Sequence, residues 1–135
     1  MNTILLLGMI SIFQTNETVK YEGVKLGCFD GLKARRAYVI NNSHELWTEL
    51  EHLRIYQNCN GFNEVVIFSK STLIGINTAS GGCKNGYSLR IEKANGKIIV
   101  KPKIYRSGAC RKTNNGLVWV KIDKIESENI IFEWQ

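Results

Sequence analysis

The sequence contains little proline and no long hydrophobic run, and each shortage excludes a class of protein. A single proline among 135 residues, with no low-complexity segment, excludes a collagen-like chain and a proline-rich linker. The longest apolar stretch, Ile4 to Phe13, covers about ten residues, whereas a membrane-spanning helix needs roughly 20, so a polytopic membrane protein is excluded too. The composition, 44% hydrophobic and 22% charged, is that of an ordinary globular protein, and the length fits one domain with one core.

Motifs for catalysis and metal binding are also missing. The two histidines, His44 and His52, lie on a predicted helix with their Cα atoms roughly 12 Å apart, too far for one metal ion. No cysteines are paired as in a zinc ribbon or a thioredoxin site, and no serine lies in a nucleophile elbow. Gly82 to Gly86 lack the spacing and the following helix of a phosphate loop. We therefore expect no enzymatic activity and no cofactor. The remaining catalytic alternative, a thiol enzyme, would need a free cysteine.

The chain begins with either a secretion signal or a buried first strand. The segment from Ile4 to Phe13 has the length and apolarity of a signal-peptide core, although no Lys or Arg precedes it and no small-residue cleavage site follows it. We predict that residues 1–15 are a signal peptide, with a first strand as the alternative. Residues 16–135 are expected to form a single disulfide-stabilised domain.

The cysteines favour export. An even number of dispersed cysteines in a small chain with an export-like start indicates two disulfides, whereas the alternative is four buried thiols in a cytosolic protein. The four residues are Cys28, Cys59, Cys83 and Cys110. Three pairings are open on these grounds. We therefore expect a protein of the periplasm, the cell surface or the medium.

One amphipathic helix is predicted over about Ser43 to Ile55. Asn42 and Ser43 offer an N-cap, and Glu45 supplies the carboxylate three residues on. Leucines at positions 46, 50 and 53 then recur on one face, with glutamates on the other. The helix is expected to pack its leucines on a flat surface.

The rest of the chain is typical of strands, because runs rich in β-branched residues are separated by short stretches of turn residues. The predicted strands are 38–40, 64–68, 72–79, 87–94, 97–105, 117–122 and 130–134. We predict an α+β fold, an antiparallel β-sheet of about six or seven strands with the one amphipathic helix packed on it or at its edge.

The clearest strand pair is a hairpin around Asn95 and Gly96, which suit a type I′ turn because both tolerate positive φ angles. A two-residue turn there pairs Ala94 with Lys97. The apolar pairs that follow join residues 91 and 100, 89 and 102, and 87 and 104, all on one face. The charged residues on the other face are Arg90, Glu92, Lys101 and Lys103.

Positive charge is concentrated in the C-terminal part of the chain. The sequence has 18 basic and 12 acidic residues, a net charge of +6, and the span 93–124 contains a single acid, Asp123. Within this span Lys101, Lys103 and Arg106, with Tyr105 among them, form a candidate basic binding face for single-stranded nucleic acid or an anionic polymer. The alternative, favoured for an exported protein, is a solvated strand face whose lysines discourage edge pairing.

Several short motifs between Val39 and the C-terminus resemble one family. They are Asn42-Ser43-His44-Glu45-Leu46-Trp47, the stretch 66–75, Gly81-Gly82-Cys83, Gly86-Tyr87-Ser88, Gly108-Ala109-Cys110 and the stretch 119–122. In these motifs the chain resembles the C-terminal domain family of the protease-complex subunit PrcB, and related exported proteins of Bacteroides-type bacteria.

The resemblance implies an exported, non-catalytic α+β domain that in some members holds a partner protease complex together. It also implies a Cys83–Cys110 disulfide, because related exported proteins carry a Gly-Gly-Cys and a later Gly-x-Cys together, and with it Cys28–Cys59. We therefore expect the protein to bind or stabilise a partner protein at the cell envelope, and nucleic acid is not the expected partner. The alternative is a small anion- or nucleic-acid-binding module that uses the basic hairpin face, which a steep loss of affinity with salt would favour.

Overall fold

The computed structural model describes residues 15–25, 35–53, 66–111, 113–114 and 116–135. The predicted signal segment from Ile4 to Phe13 lies outside the described residues, as do Cys28 and Cys59 and therefore their predicted disulfide. In the described part of the chain, no helix is long and apolar enough to span a membrane.

The described residues form ten strands and one α-helix. The strands are β1 (Glu17–Thr18), β2 (Glu22–Val24), β3 (Ala37–Ile40), β4 (Ser71–Asn77), β5 (Ser80–Gly81), β6 (Lys84–Ala94), β7 (Lys97–Ser107), β8 (Thr113–Asn114), β9 (Leu117–Asp123) and β10 (Ile130–Phe132). The helix, α1, is Ser43–Leu53, and a 3₁₀ turn, Ser127–Asn129, precedes β10.

The α+β class is confirmed, but the strands form two main sheets instead of one. The central sheet has the order β2-β9-β4-β3, the hairpin sheet has the order β1-β6-β7-β10, and β5 pairs with β8 separately. Pairing is antiparallel except between β10 and β7, which run parallel. The physical reason for two sheets is that β4 is buried continuously over residues 72–76, so the central sheet needs a layer on each of its faces.

Two hydrophobic clusters fill the spaces on either side of the central sheet. On one side Tyr38 and Trp119 belong to a cluster with Leu46 of α1. On the other side Ile74 of β4 belongs to a cluster with Val100 of the hairpin sheet. The described chain therefore has three layers: helix, central sheet and hairpin sheet.

The Trp119 ring packs against the backbone of Gly75, where any side chain would overlap it. Gly75 in β4 lies opposite Trp119 in β9 and opposite Tyr38 in β3. A Cβ atom on Gly75 would lie 2.6 Å from the Trp119 ring, and the centroids of the Tyr38 and Trp119 rings are 5.6 Å apart. The aromatic packing beneath α1 thus depends on the missing side chain of Gly75.

The predicted N-terminus of the helix is confirmed in detail. The Asn42 side-chain oxygen accepts a hydrogen bond from the Glu45 N–H at 2.8 Å, and the Glu45 carboxylate accepts one from the Asn41 N–H, also at 2.8 Å. Leu46 is buried as predicted, whereas the side chains of Leu50 and Leu53 lie outside the described residues.

The predicted strand over residues 64–68 is wrong in its described part. Residues 66 and 67 have no regular structure, and the Ile67 carbonyl accepts from the N–H groups of Lys70 and Ser71, both at 3.0 Å, which makes a turn. Val66 and Phe68 nevertheless pack against the helix-side cluster. The apolar content that favoured a strand therefore serves core packing.

The hairpin prediction is confirmed pair by pair. Ala94 lies opposite Lys97, Ile91 opposite Val100, and the register continues without a break along both strands. Asn95 has a φ angle of 54° and its successor, Gly96, one of 73°, as a type I′ turn requires. Both strands are longer at the open end than predicted, reaching residues 84 and 107.

Candidate functional site

The β6–β7 hairpin extends well beyond the other strands of its sheet. β1 pairs with β6 only at Glu92 and Lys93, and β10 pairs with β7 only from Ile98 to Val100. At the open end, residues 84–88 and 103–107 are exposed apart from a half-buried Ile104. We name residues 84–88 and 103–107 the outer ribbon.

The β7 edge of the outer ribbon is open. In a hairpin closed by a two-residue turn, the backbone groups of every second residue point away from the partner strand. The C-terminal residues use two of these outward carbonyls: Val100 accepts from the Glu133 N–H at 2.8 Å, and Pro102 accepts from the Gln135 N–H at 3.1 Å. The next outward backbone groups belong to Ile104, and no described strand lies beside them.

The β6 edge ends in the same way. The Ile91 carbonyl accepts from the Val19 N–H at 2.8 Å, and the Leu89 carbonyl accepts from the Tyr21 hydroxyl at 2.9 Å. The next outward backbone groups belong to Tyr87, where no described strand follows. Among the described residues, the outer ribbon is thus a two-stranded element with two unpaired edges, which offer backbone donors and acceptors to a partner.

A disulfide closes the base of the outer ribbon. Cys83 and Cys110 are bonded with their Cα atoms 4.8 Å apart, which is the pairing that the family resemblance implies. Gly108 has a φ angle of 85°, and a Cβ atom on it would lie 2.6 Å from the Cys83 sulfur. The glycine therefore lets the chain turn tightly around the disulfide. The crosslink limits how far the two strand ends can separate.

The outer ribbon and its flanks carry positive charge and no negative charge. Neither of the segments 84–91 and 101–111 contains an acidic residue. Their exposed basic residues are Lys84, Arg90, Lys103, Arg106 and Arg111.

Two tyrosines project from opposite faces of the outer ribbon. Tyr87 and Tyr105 are each 48% exposed and belong to the exposed large hydrophobic side chains of the described residues. The Lys103 ammonium lies 5.1 Å from the centroid of the Tyr105 ring, within the range of a cation–π interaction. On this face a cleft of about 390 Å³ is lined in part by Arg90 and Gln135.

The predicted basic face is only partly assembled. The Lys101 ammonium lies 2.7 Å from the Glu92 carboxylate and 3.8 Å from that of Glu133, and its side chain is only 17% exposed. Its charge is therefore compensated. Lys103 remains accessible on the same face, but Arg106 points to the opposite face because side chains alternate along a strand. The three predicted residues do not form one surface.

The pKa of Glu92 reflects the same ion pair. The hydrogen bond from Lys101 is the largest effect and the one from Asn16 the second, and together they hold the pKa of the Glu92 carboxyl below its ordinary value of 4.5. The charged Glu92 carboxylate thus holds the Lys101 ammonium beside β6 and away from the outer ribbon.

The site includes residues that sequence reasoning missed. The sequence places Tyr87 on the apolar face of the hairpin and starts the predicted strand after Lys84, yet both residues lie on the exposed outer ribbon. No local sequence signal indicates this exposure, because the short flanking strands that leave the outer ribbon uncovered pair with the hairpin from distant parts of the chain. His44 is exposed on α1, while the side chain of His52 lies outside the described residues. The described part of the chain holds no cluster of three or more metal-ligating side chains.

Comparisons of the chain with protein-family models, with curated proteins and with solved structures find no match.

Proposed function

We propose that this protein is an exported, non-catalytic domain that binds a partner protein at the cell envelope, and that the outer ribbon is its binding surface. The observation that carries the proposal is the combination of two half-exposed tyrosines with uncompensated positive charge on a protruding, disulfide-closed ribbon. The disulfide supports export, because such bonds persist mainly in oxidising compartments.

The chemistry of the outer ribbon defines the kind of partner. Tyrosine and arginine are over-represented among the residues that dominate protein–protein binding energy, and the outer ribbon offers both. Arg90 is paired with Glu92 at 3.1 Å, but the other four nearby cations, Lys84, Lys103, Arg106 and Arg111, form no ion pair among the described residues. They favour a partner with an acidic surface, because complementary charge accelerates association and selects partners. A crosslinked base supports binding further, since a surface that is rigid beforehand loses less entropy on association.

A protein partner fits the geometry better than a nucleic acid strand. A single-stranded polymer needs a continuous basic groove with aromatic platforms along it. Here Lys101 is neutralised by Glu92, and Lys103 and Arg106 face opposite ways. The resemblance to the PrcB C-terminal domain family makes an envelope protease complex the first partner to examine.

Site-specific photo-crosslinking tests this proposal. A photoreactive amino acid is placed at Tyr87 or Tyr105 in cells that produce the protein, with Ile67, which is 57% exposed outside the outer ribbon, as the control position. We expect the same acidic protein to be crosslinked from both ribbon positions and not from Ile67.

Charge reversal then tests whether the positive charge of the outer ribbon contributes to partner binding. Lys103→Glu combined with Arg106→Glu should lower the crosslinking yield about tenfold, as expected for a loss of close charge pairs. Lys70→Glu, an exposed control outside the outer ribbon, should leave the yield unchanged. Nuclease-sensitive adducts, or equal yields from all three positions, would contradict the proposal and favour the anionic-polymer alternative or no specific partner.

A further inference from the structure

A second surface, distant in sequence from the outer ribbon and opposite in charge, lies between β3 and α1. β3 is the outermost strand of the central sheet in the order β2-β9-β4-β3. Between its free side and α1 lies a groove of about 330 Å³. Its lining includes Arg35, Val39, Thr48 and Glu49.

The backbone of β3 presents hydrogen-bonding groups to this groove. The Arg36 carbonyl accepts from the Asn77 N–H at 3.0 Å, so residue 36 uses its backbone toward β4. Because backbone groups alternate sides along an antiparallel strand, those of Ala37 and Val39 point away from β4. No described strand pairs with them on that side. Within the part of the chain that the structure describes, one wall of the groove is therefore an unpaired strand edge.

The opposite wall carries a carboxylate that lacks a hydrogen-bond donor. The Glu49 Oε1 atom lies 3.4 Å from the Arg35 guanidinium, which is 64% exposed, whereas Oε2 is buried and has no hydrogen-bond partner among the described residues. A buried acceptor left unpaired costs free energy that a donor recovers. The groove is thus lined by a carboxylate whose ion pair with Arg35 leaves its second oxygen without a donor in the described part of the chain.

Three other polar side chains of the groove already have hydrogen-bond partners. The Glu45 carboxylate accepts from the Asn41 N–H, and the Thr48 hydroxyl donates to the His44 carbonyl. The Tyr38 hydroxyl accepts from the Arg35 N–H at 2.8 Å. Burial first, and the nearby Glu49 carboxylate in addition, raise the pKa of Tyr38 against the lowering effect of Arg35, so this phenol is neutral. Among the described residues, Glu49 is the group with a buried side-chain atom that lacks a hydrogen-bond partner.

We infer that this groove binds an extended peptide, which adds as a strand to β3 and places a lysine or arginine side chain on the Glu49 carboxylate. Strand addition uses backbone hydrogen bonds for affinity and side-chain pockets for specificity. β3 spans four residues, so the peptide segment that it can pair is about 13 Å long. The inference does not depend on the outer ribbon, whose positive charge would repel the same peptide.

A titration with a defined peptide tests the inference. The probe is the blocked pentapeptide Thr-Val-Lys-Val-Thr, added to ¹⁵N-labelled protein, with the backbone amide signals of Ala37 and Val39 as the readout. We expect saturable shifts of these two signals. A pentapeptide with glutamate in place of lysine should bind at least tenfold more weakly, and so should one whose backbone N–H groups are methylated.

Two substitutions complete the test. Glu49→Gln should weaken binding of the lysine peptide about tenfold, while Glu128→Gln, an exposed control, should not. Tyr105→Ser should leave peptide binding unchanged, which separates this site from the outer ribbon. Absence of shifts at Ala37 and Val39, or equal affinity for the lysine and glutamate peptides, would overturn the inference. So would concentration-dependent shifts without peptide, since they would identify a second copy of the chain as the occupant.

Discussion

Gly75 and Gly108 occupy positions where a side chain would collide with a neighbouring residue. A Cβ atom would lie 2.6 Å from the Trp119 ring in the first case and 2.6 Å from the Cys83 sulfur in the second. Gly108 also has a left-handed φ angle of 85° that other residues rarely adopt. One glycine thus permits the aromatic core beneath α1, and the other permits the disulfide at the base of the outer ribbon.

Gly75→Ala should destabilise the protein. The new methyl group overlaps the Trp119 ring, which is buried and cannot move without disturbing Tyr38, so we expect a loss of about 1–3 kcal/mol in the free energy of unfolding. Chemical denaturation of both proteins measures the difference. Gly23→Ala is the matched control, because no atom lies within 4 Å of a Cβ at that position. An unchanged stability for Gly75→Ala would refute the close packing.

The Glu92–Lys101 pair should make stability depend on pH in the acid range. The pKa of Glu92 is lowered from 4.5 in the folded protein. Such a group contributes stability above its unfolded pKa, and the contribution disappears as pH falls through the folded pKa. Between about pH 6 and about pH 3 the wild type should therefore lose more stability than Glu92→Gln, in which this position does not titrate. Parallel pH curves for wild type and variant would show that the pair contributes nothing.

At the scale of elements, the hairpin was predictable because its information is local. Asn95 and Gly96 determine the turn, the turn determines the register, and the register sorts apolar from charged side chains without any distant contact. The same alternation places Arg106 on the face opposite to Lys103. Grouping Arg106 with Lys101 and Lys103 in one binding face was therefore wrong, and the predicted hairpin register was sufficient to show it.

The division into two sheets was not predictable in the same way. β4 is buried on both faces, so its sequence has no alternation that reveals which neighbour covers which face. The parallel pairing of β10 with β7 joins residues about thirty positions apart, such as Ile130 and Ile98, with no turn between them to indicate it. These distant pairings determine which part of the hairpin stays uncovered. The sequence alone therefore did not indicate that Tyr87 is exposed.

Removal of the Cys83–Cys110 disulfide should loosen the outer ribbon in particular. We expect the double substitution Cys83→Ser and Cys110→Ser to cost roughly 3.5 kcal/mol of stability and to speed amide exchange at residues 84–88 and 103–107. Hydrogen-exchange mass spectrometry measures both segments against the inner pair Ile91 and Val100, which is fully buried and should remain protected. Equal acceleration over the whole hairpin would mean that the disulfide does not act as a local clamp.

At the scale of the whole molecule, charge and geometry separate two surfaces. The outer ribbon presents Lys84, Lys103 and Arg106 without an acid, whereas the groove beside β3 is lined by the carboxylates of Glu45 and Glu49 together with Arg35. The layers between them are closely packed through two hydrophobic clusters, so each surface is built on a rigid support. Such an arrangement suits a passive domain that holds other chains.

Both the proposed export and the rigidity of the outer ribbon depend on the Cys83–Cys110 bond in the protein as cells make it. The most direct measurement is thiol alkylation of freshly isolated protein, with and without reductant, followed by peptide mass mapping of the two cysteines. We expect no label on Cys83 or Cys110 before reduction and full label on both after it. Labelling of these two cysteines without reductant would contradict the envelope assignment and the binding role that rests on it.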